Sequence, residues 1–358
     1  NLMSGAFIAG VRAMADGIRD IADGAVETGS SFEASMSQVA ATMGMTAEEV
    51  SNGSKEYTLL SDAAKECGKS TMFSASQAGE ALNYLALAGY DAQKSAETLP
   101  KVLDLAAAGG LDLAYASDLV TDSMAALGME TSQLDTYIDE MARTSQKSNT
   151  SVAQLGEATL VCAGAVSMTK QDLETMNAEL GVLANNGSKG AEGGTHLRNI
   201  LLSLSAPVDK AADAIEALGL QVYDSSGNMR DLNDILIDLN TLTAEMSDEE
   251  RTGVISKIFK LTDISAINAL LKGTGDEFDS LKAEIESSQG AAAAMAETLN
   301  DNLKGKVTIL QSALEGLGIS AYEIFDDNLK TSVDSATSAV GRRQRSIESG
   351  NMGVSRRR

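Results

Sequence analysis

Apolar side chains recur every three or four residues along almost the whole of this sequence, and that period commits the chain to helices. A half-buried strand would place them at every second position instead. The helix ends are written into the sequence as well. Capping boxes, in which a hydroxyl and a side chain three residues on satisfy each other's free N–H groups, stand at Thr46/Glu49, Ser74/Gln77, Ser151/Gln154 and Ser247/Glu250. Stops are expected at Gly68, Gly89, Gly128, Gly187 and Gly219. Between Thr46 and Gly290 this predicts about ten helices of roughly 8 to 20 residues, the length of globular packing. One interruption alternates: Leu220-Gln221-Val222-Tyr223, a turn-rich DSSGN, then Met229-Arg230-Asp231-Leu232, which predicts a small β-hairpin lying on neighbouring helices.

The two ends of the chain carry a longer period. Phe7, Val11, Met14, Ile18, Ile21, Ala25 and Thr28 form a heptad seam, which shifts through a stutter at Phe32, Met36, Val39 and Met43. One long helix is expected over 2–43, weakened at Gly17, Gly24 and Gly29 by up to ~1 kcal/mol each. Met295, Leu299 and Leu303, then Val307, Leu310, Leu314, Leu317, Ala321 and Ile324, make a second seam running to about Val333. The expected fold class is all-α: a compact multi-helix core with one small β-hairpin, flanked by long heptad-patterned helices. The expected units are a long amphipathic helix over 1–45, a compact helical core over 46–290, a long heptad helix over 291–340 and a basic disordered tail over 341–358. A heptad stripe left bare is an aggregation liability, so the seams are expected to meet each other, the core, or copies of the chain.

Leu99–Gly128 reads as the packing centre. Pro100 is placed in a first helical turn, where its missing N–H has no partner to lose. Leu103, Ala106 and Ala107 give a small apolar face. Gly109 and Gly110 stop that helix, Asp112 caps the next, and Leu113, Ala116, Leu119, Val120, Met124 and Leu127 form its buried stripe up to Gly128.

Charge then excludes several functions. The net charge is −23, and the last eighteen residues hold six arginines and one glutamate, so the first 340 carry −28. Such a surface repels nucleic acid and anionic membrane. Disorder does not follow, because 43% of the residues are apolar and periodic. No uninterrupted apolar run approaches the ~18 residues of a spanning helix, and no signal peptide is visible. The chain opens on Asn1 inside a helical pattern and reads as a fragment of a longer protein. Cys67 and Cys162 read as small buried hydrophobes.

Several stretches imitate functional sites. Cys67-Gly68-Lys69-Ser70-Thr71 holds the GKST end of a phosphate loop, but Ala63 occupies the position of the required earlier glycine, so a helix C-terminus is the better reading. Gly187–Thr195, GSKGAEGGT, lacks both GxGxxG spacing and a Lys-Ser/Thr pair and reads as a structural loop. His196, the only histidine, has no ligand or triad partners that spacing can supply. Asp224, Ser226 and Asn228 begin like a calcium loop, but Met229 stands where it needs glycine and the closing glutamate is missing. Acidic pairs such as Glu48-Glu49 and Asp326-Asp327 read as solvated helix ends. No catalytic, cofactor-binding or metal-binding residue is nominated, and no cofactor is expected.

Four segments carry a resemblance: Ala81–Gly128, SNTSVAQLGEA (Ser148–Ala158), LGVLANNGSKGAEGGTHLRNIL (Leu180–Leu201) and GNMRDLNDIL (Gly227–Leu236). In this order they resemble the core region of the phage tail tape measure family, over roughly Phe32 to Tyr322. One departure lies at Ile258-Phe259-Lys260, where the family usually has glycine after the phenylalanine. The resemblance implies a structural, non-enzymatic protein of a phage, prophage or tail-like particle that sets tail length and supports tail tube assembly. It implies tail tube, tail tip or baseplate and assembly chaperone proteins as partners, with self-association through the heptad helices. It implies residence inside the virion tail tube, and in the host cytoplasm during assembly. The other readings weighed are a tail-associated cell-wall hydrolase and a membrane-active helical protein. Neither has paired catalytic carboxylates, a metal cluster or a strongly apolar helix face to support it.

Overall fold

The computed structural model describes residues 24–323. The seam positions from Phe7 to Ile21, the stretch from Ile324 to Val333, Asp326-Asp327 and the basic tail lie outside the described residues. Helix α1 covers 24–42. It is followed by α2 (Ala47–Ser51), α3 (Lys55–Ser70), α4 (Ala75–Leu87), α5 (Ala92–Gly109), α6 (Leu113–Leu127), α7 (Leu134–Lys147) and α8 (Val152–Thr169). Then come α9 (Leu173–Asn185), α10 (Gly190–Ser205), α11 (Asp209–Leu218), α12 (Leu232–Leu242), α13 (Asp248–Ile258), α14 (Ile264–Gly273), α15 (Asp276–Glu286) and α16 (Ala291–Asn300). The last, α17, covers 303–323.

Helices outnumber the sequence expectation because many begin without a capping box. Asp91, Asp112, Asp172 and Asp231 each cap a helix alone, their carboxylates accepting a backbone N–H two or three residues on. Three of the expected capping boxes form in full, at Thr46, Ser74 and Ser247. Ser151 makes only its half, accepting from Gln154 N–H, while the Gln154 side chain meets Thr150. Gly110, Gly128 and Gly219 close α5, α6 and α11 in the left-handed conformation. Gly68 is not a stop: α3 runs on to Ser70 and is capped by Thr71. Pro100 lies in the interior of α5, not in a first turn. It sits on the exposed face, where the Ala96 carbonyl that loses its helical donor can turn to solvent. At the Phe259 departure the following Lys260 is extended, with φ −67°, so that turn does not need glycine.

The β-hairpin does not form. Among the described residues there is no strand, only a single antiparallel bridge between Tyr223 and Met229. The alternation is real, since Leu220 and Val222 are buried and Gln221 and Tyr223 exposed. The connection is too short for a ladder, however. Asp224 Oδ1 accepts from Ser226 N–H and Asn228 N–H, at 2.8 and 2.9 Å, and α12 begins three residues after the bridge. Leu220 and Val222 are therefore held by the helical core, not by strand pairing.

The centre of the molecule is α9. Every residue from Thr175 to Ala184 is buried, between α7, α8, α10, α14 and α15. Leu99–Gly128 lies to one side, where α5 and α6 pack with α3, α4, α7, α8 and α16. Helices α8 and α10 pack at close range. A methyl group on Gly194 would run into the Ala158 carbonyl, so the two backbones touch. By length and composition α8 could cross a membrane, which an average over its polar interruptions shows and a search for unbroken apolar runs does not. More than half of it is buried in the fold, as befits a core helix.

Helices α1 and α17 lie on the core. Phe32, Met36 and Val39 of α1 belong to the main apolar cluster, as does Ile319 of α17. Gly29 has no room for a side chain because the Tyr322 ring lies over it, and Tyr322 Oη donates to Glu33 at 2.8 Å. The helical path from Ala291 is interrupted at Asp301-Asn302, where Asp301 pairs with Lys306 at 2.9 Å.

Candidate functional site

Two carboxylic acids are buried at the centre, and neither was singled out in the sequence. Glu140 on α7 is 1% exposed and accepts from Asn177 Nδ2 of α9 at 3.0 Å. Burial, then the nearby negative charge of Glu174, pushes the Glu140 carboxyl up to about 8. Glu179 on α9 is also 1% exposed, and its Oε1 has no hydrogen-bond partner. Burial, with Asp231 and Asp172 adding repulsion, raises Glu179 well above the ordinary carboxyl range, and Lys282 only partly offsets this.

One cation organises the surrounding acids. Lys282 Nζ of α15 lies 3.6 Å from Asp172 and 3.5 Å from Asp231, which cap α9 and α12. It donates to Thr175 Oγ1 at 2.8 Å, and that hydroxyl donates to Asp231 Oδ2 at 2.8 Å. Burial works against the Lys282 charge, but Asp172 and Asp231 outweigh it and hold the ammonium above its usual range. Three helices are thereby tied at one point.

Glu140 opens onto a pocket of about 410 Å³ lined also by Leu127, Gln133, Val166, Asp172 and Glu174. No basic side chain lines it. Such a pocket can hold and release a proton near neutral pH, but has no cation to stabilise a developing negative charge. A larger cavity, about 710 Å³, lies between α1, α3 and α17. Of its charged walls, Lys65 pairs with Glu323 and Glu33 accepts from Tyr322. Among the described residues no group of three or more His, Cys, Asp or Glu side chains could hold a metal ion.

The stretches that imitate sites have structural surroundings. Lys69 and Ser70 end α3, and a Cβ on Gly68 would come 2.6 Å from Ala75 N, so the glycine lets α3 meet the start of α4. Gly193 and Gly194 lie inside α10, where a Cβ on Gly193 would come 2.8 Å from the Ser188 carbonyl oxygen and Gly194 serves the contact with α8. Where an anion could approach the first turn of α10, the Glu157 carboxylate already lies, since a Cβ on Gly190 would fall 2.6 Å from its Oε2. The Asp224 carboxylate is spent on its own turn, which holds it below its usual range. Glu49 closes a capping box and Glu48 lies beside it in the first turn of α2.

His196 gains a partner that spacing could not supply. Its Nδ1 lies 2.7 Å from Asp263 Oδ1, which also accepts from Asn199 Nδ2 at 3.2 Å. Asp263 is 1% exposed and its Oδ2 has no partner. On the other side of the ring, Nε2 is 3.8 Å from Glu192, and the His196–Asp263 pair fastens α10 to the turn before α14. Cys67 and Cys162 are free and buried, and burial pushes their thiols up to about 11 and about 12.

The matches with known proteins are to tail proteins. A family model described as phage-related minor tail protein matches residues 61–260, more than half of the chain. A tape measure protein of Pneumococcus phage Dp-1 is 31% identical over 315 residues, 88% of this chain and 27% of that protein. A probable tape measure protein of Escherichia phage P2 is 25% identical over 316 residues, 87% of this chain and 38% of the relative. One from Clostridium phage phiCD119 is 23% identical over 336 residues, 92% and 35% of the two chains. The chain thus spans between about a quarter and two fifths of these relatives. No solved structure matches it.

Proposed function

Because this chain belongs to the phage-related minor tail protein family, and to the tape measure proteins within it, we propose that it is the folded core region of a tape measure protein. The parent protein sets tail length and supports assembly of the tail tube. The observation that carries this is a match along 87–92% of the chain to tape measure proteins of three phages. The fold suits the role: among the described residues the helices carry the architecture, and its polar centre is a set of interhelical ties.

The parts proposed are a helix over 1–45, the compact core over 46–290, a heptad segment over 291–340 and a basic tail over 341–358, with no catalytic or cofactor site in any of them. Partners are other tail components: tube, tip or baseplate, and assembly chaperones, together with copies of the chain itself. Nucleic acid and membrane are not partners of this segment, in keeping with a net charge of −23. The location is the tail of the particle, after assembly in the host cytoplasm.

The test is genetic. Deleting residues 46–290 in frame from the parent gene is expected to leave heads without normal tails in electron micrographs, with rescue by the intact gene in trans. Tails of parental length from the deleted gene would overturn the reading.

A further inference from the structure

Helices α12, α13 and α14 leave a cavity of about 470 Å³ between them, and it shares no lining residue with the pocket of Glu140. Its polar walls are Asn240, Asp248, Arg251, Thr252, Asn268 and Lys272. One amide assembles them. Asn240 Nδ2 donates to the Leu271 carbonyl at 2.6 Å and to Thr274 Oγ1 at 2.8 Å, which ties α12 to the end of α14. Asn240 Oδ1 then accepts from Arg251 Nη2 at 2.6 Å, which fixes the half-buried guanidinium of α13. Among the described residues that is the one hydrogen bond Arg251 makes, so its Nε and Nη1 donors have no protein acceptor. Asp248 lies one helical turn before Arg251 and forms no ion pair with it, and Lys272 has none either. This chain holds 51 acidic and 28 basic side chains, so a carboxylate is the group an arginine most readily finds. Here a neutral amide holds the arginine instead, and a second cation shares its cavity.

We propose that this cavity binds a single carboxylate group, held by Arg251 with Lys272 adding charge. Three features select that ligand. Geometry is the first: a guanidinium is a planar fork whose paired N–H groups match the two oxygens of a carboxylate. Because Asn240 already positions the fork, binding costs little reorganisation. The second is the charge of the walls. Arg251 and Lys272 stand against Asp248, a net single positive charge, which balances a carboxylate and leaves a doubly charged phosphate in excess. A nucleic acid strand is a worse match still, since the chain around the cavity carries a net charge of −23. The third is the rest of the lining. The Thr252 hydroxyl and the Asn268 amide add donors that an anion can use and an apolar ligand cannot. The volume falls within the ~300–1,000 Å³ of small-ligand sites, room for the whole side chain of an aspartate or glutamate. Two sources present this chemistry: an acidic segment of another protein, and a small free carboxylic acid.

The experiment is a nuclear magnetic resonance titration of the whole chain, reading the Arg251 Nε–H signal and the backbone N–H signals of Thr252 and Lys272. The probes are acetate, inorganic phosphate, and the capped peptide Gly-Gly-Glu-Gly-Gly beside its counterpart with glutamine in place of glutamate. Acetate and the glutamate peptide are expected to give saturable shifts at millimolar concentration, with the glutamine peptide and phosphate at least about tenfold weaker. Arg251→Gln should weaken binding at least about tenfold and Lys272→Gln by about threefold, while Arg251→Lys, which keeps the charge and loses the fork, should not restore it. Should Arg251→Gln fail to fold, Lys272→Gln carries the same test, because that side chain is exposed. A glutamate peptide that binds at least about tenfold more tightly than acetate assigns the site to an acidic protein segment, and acetate of equal or higher affinity assigns it to small free acids. The proposal is overturned if no probe gives a saturable shift below about 50 mM, or if the two peptides bind equally. Phosphate binding more tightly than acetate, or affinities unchanged in the folded variants, would overturn it as well.

Discussion

Replacing Glu140 by glutamine should stabilise this protein at neutral and alkaline pH and do little in acid. The folded chain holds the Glu140 carboxyl at about 8 against an ordinary value of 4.5. The group is therefore protonated in the folded state at pH values where the unfolded chain has released its proton. Its cost is absent below the unfolded value, grows between about 4.5 and about 8, and is constant above that. At pH 7 the cost is about 3 kcal/mol, from 1.36 kcal/mol per unit over the interval from 4.5 to 7. That is a large share of a typical net stability of about 5–15 kcal/mol. Glutamine keeps an acceptor for Asn177 Nδ2 and carries no charge to bury. Urea unfolding followed by circular dichroism at several pH values would measure the difference between variant and parent. Carboxylates whose ionised form the fold favours, such as Glu49, Glu250 and Asp224, are common to both proteins and cancel. The expected gain is near zero at pH 4.5, about 3 kcal/mol at pH 7 and about 4 kcal/mol at pH 8. A gain independent of pH, or none at pH 8 in a variant that folds, would refute the assignment of a protonated Glu140.

Other outcomes follow from single contacts. Gly194→Ala should cost at least about 3 kcal/mol, or prevent folding, because the Ala158 carbonyl opposite is backbone and cannot step aside, whereas Gly164→Ala, with nothing within 4 Å, should be neutral or gain up to about 1 kcal/mol in thermal unfolding. His196→Ala should lose about 1–3 kcal/mol, since it leaves the buried Asp263 with Asn199 alone, and His196→Ala with Asp263→Ala together should lose less than Asp263→Ala and His196→Ala summed. Removing four heptads, Leu303 to Lys330, from the parent protein should not shorten tails by the ~42 Å that an extended helix at ~1.5 Å per residue would contribute, because 303–323 are folded onto the core; electron micrographs of mutant and parent tails would measure it.

What was legible in the sequence was local. A capping hydroxyl, a glycine in the left-handed region and a run of period 3.6 each act within a few residues, so Thr46, Ser74, Ser247, Gly110 and Gly128 do in the fold what their neighbours imply. The hairpin reading failed one step further out. The alternation of Leu220 and Val222 reports burial, but a ladder needs several paired residues, and Asp224 closes the turn after a single bridge. Pro100 and Gly68 were misread for a related reason: each was assigned a helix end from its own propensity, whereas an exposed face and the approach of Ala75 decide where it is tolerated.

The buried acids and the exposed leucines were illegible because both depend on which elements surround a helix. Tyr137, Ile138 and Met141 mark one buried face of α7, and Glu140 lies next to it as any solvated acid would in a chain with 51 acidic residues. It is buried because α7 has neighbours on several sides, among them α5, α8, α9, α15 and α16. Glu179 has the same origin, on a helix enclosed all round. Periodicity shows which residues share a face, but a face acquires meaning only from what lies against it. For the apolar face of α17 the sequence left open the other seam, the core or another copy, and in the fold that face is turned away from the core. Ser312 and Ile319 face the core, where the Met72 carbonyl accepts from Ser312 and Ser76 N–H donates to the neighbouring Glu315, while Gly305 lies against the Asn300 carbonyl. Where a core accepts the polar side of an amphipathic helix, the apolar side is left facing outward, and the partners the core supplies decide between the two sides.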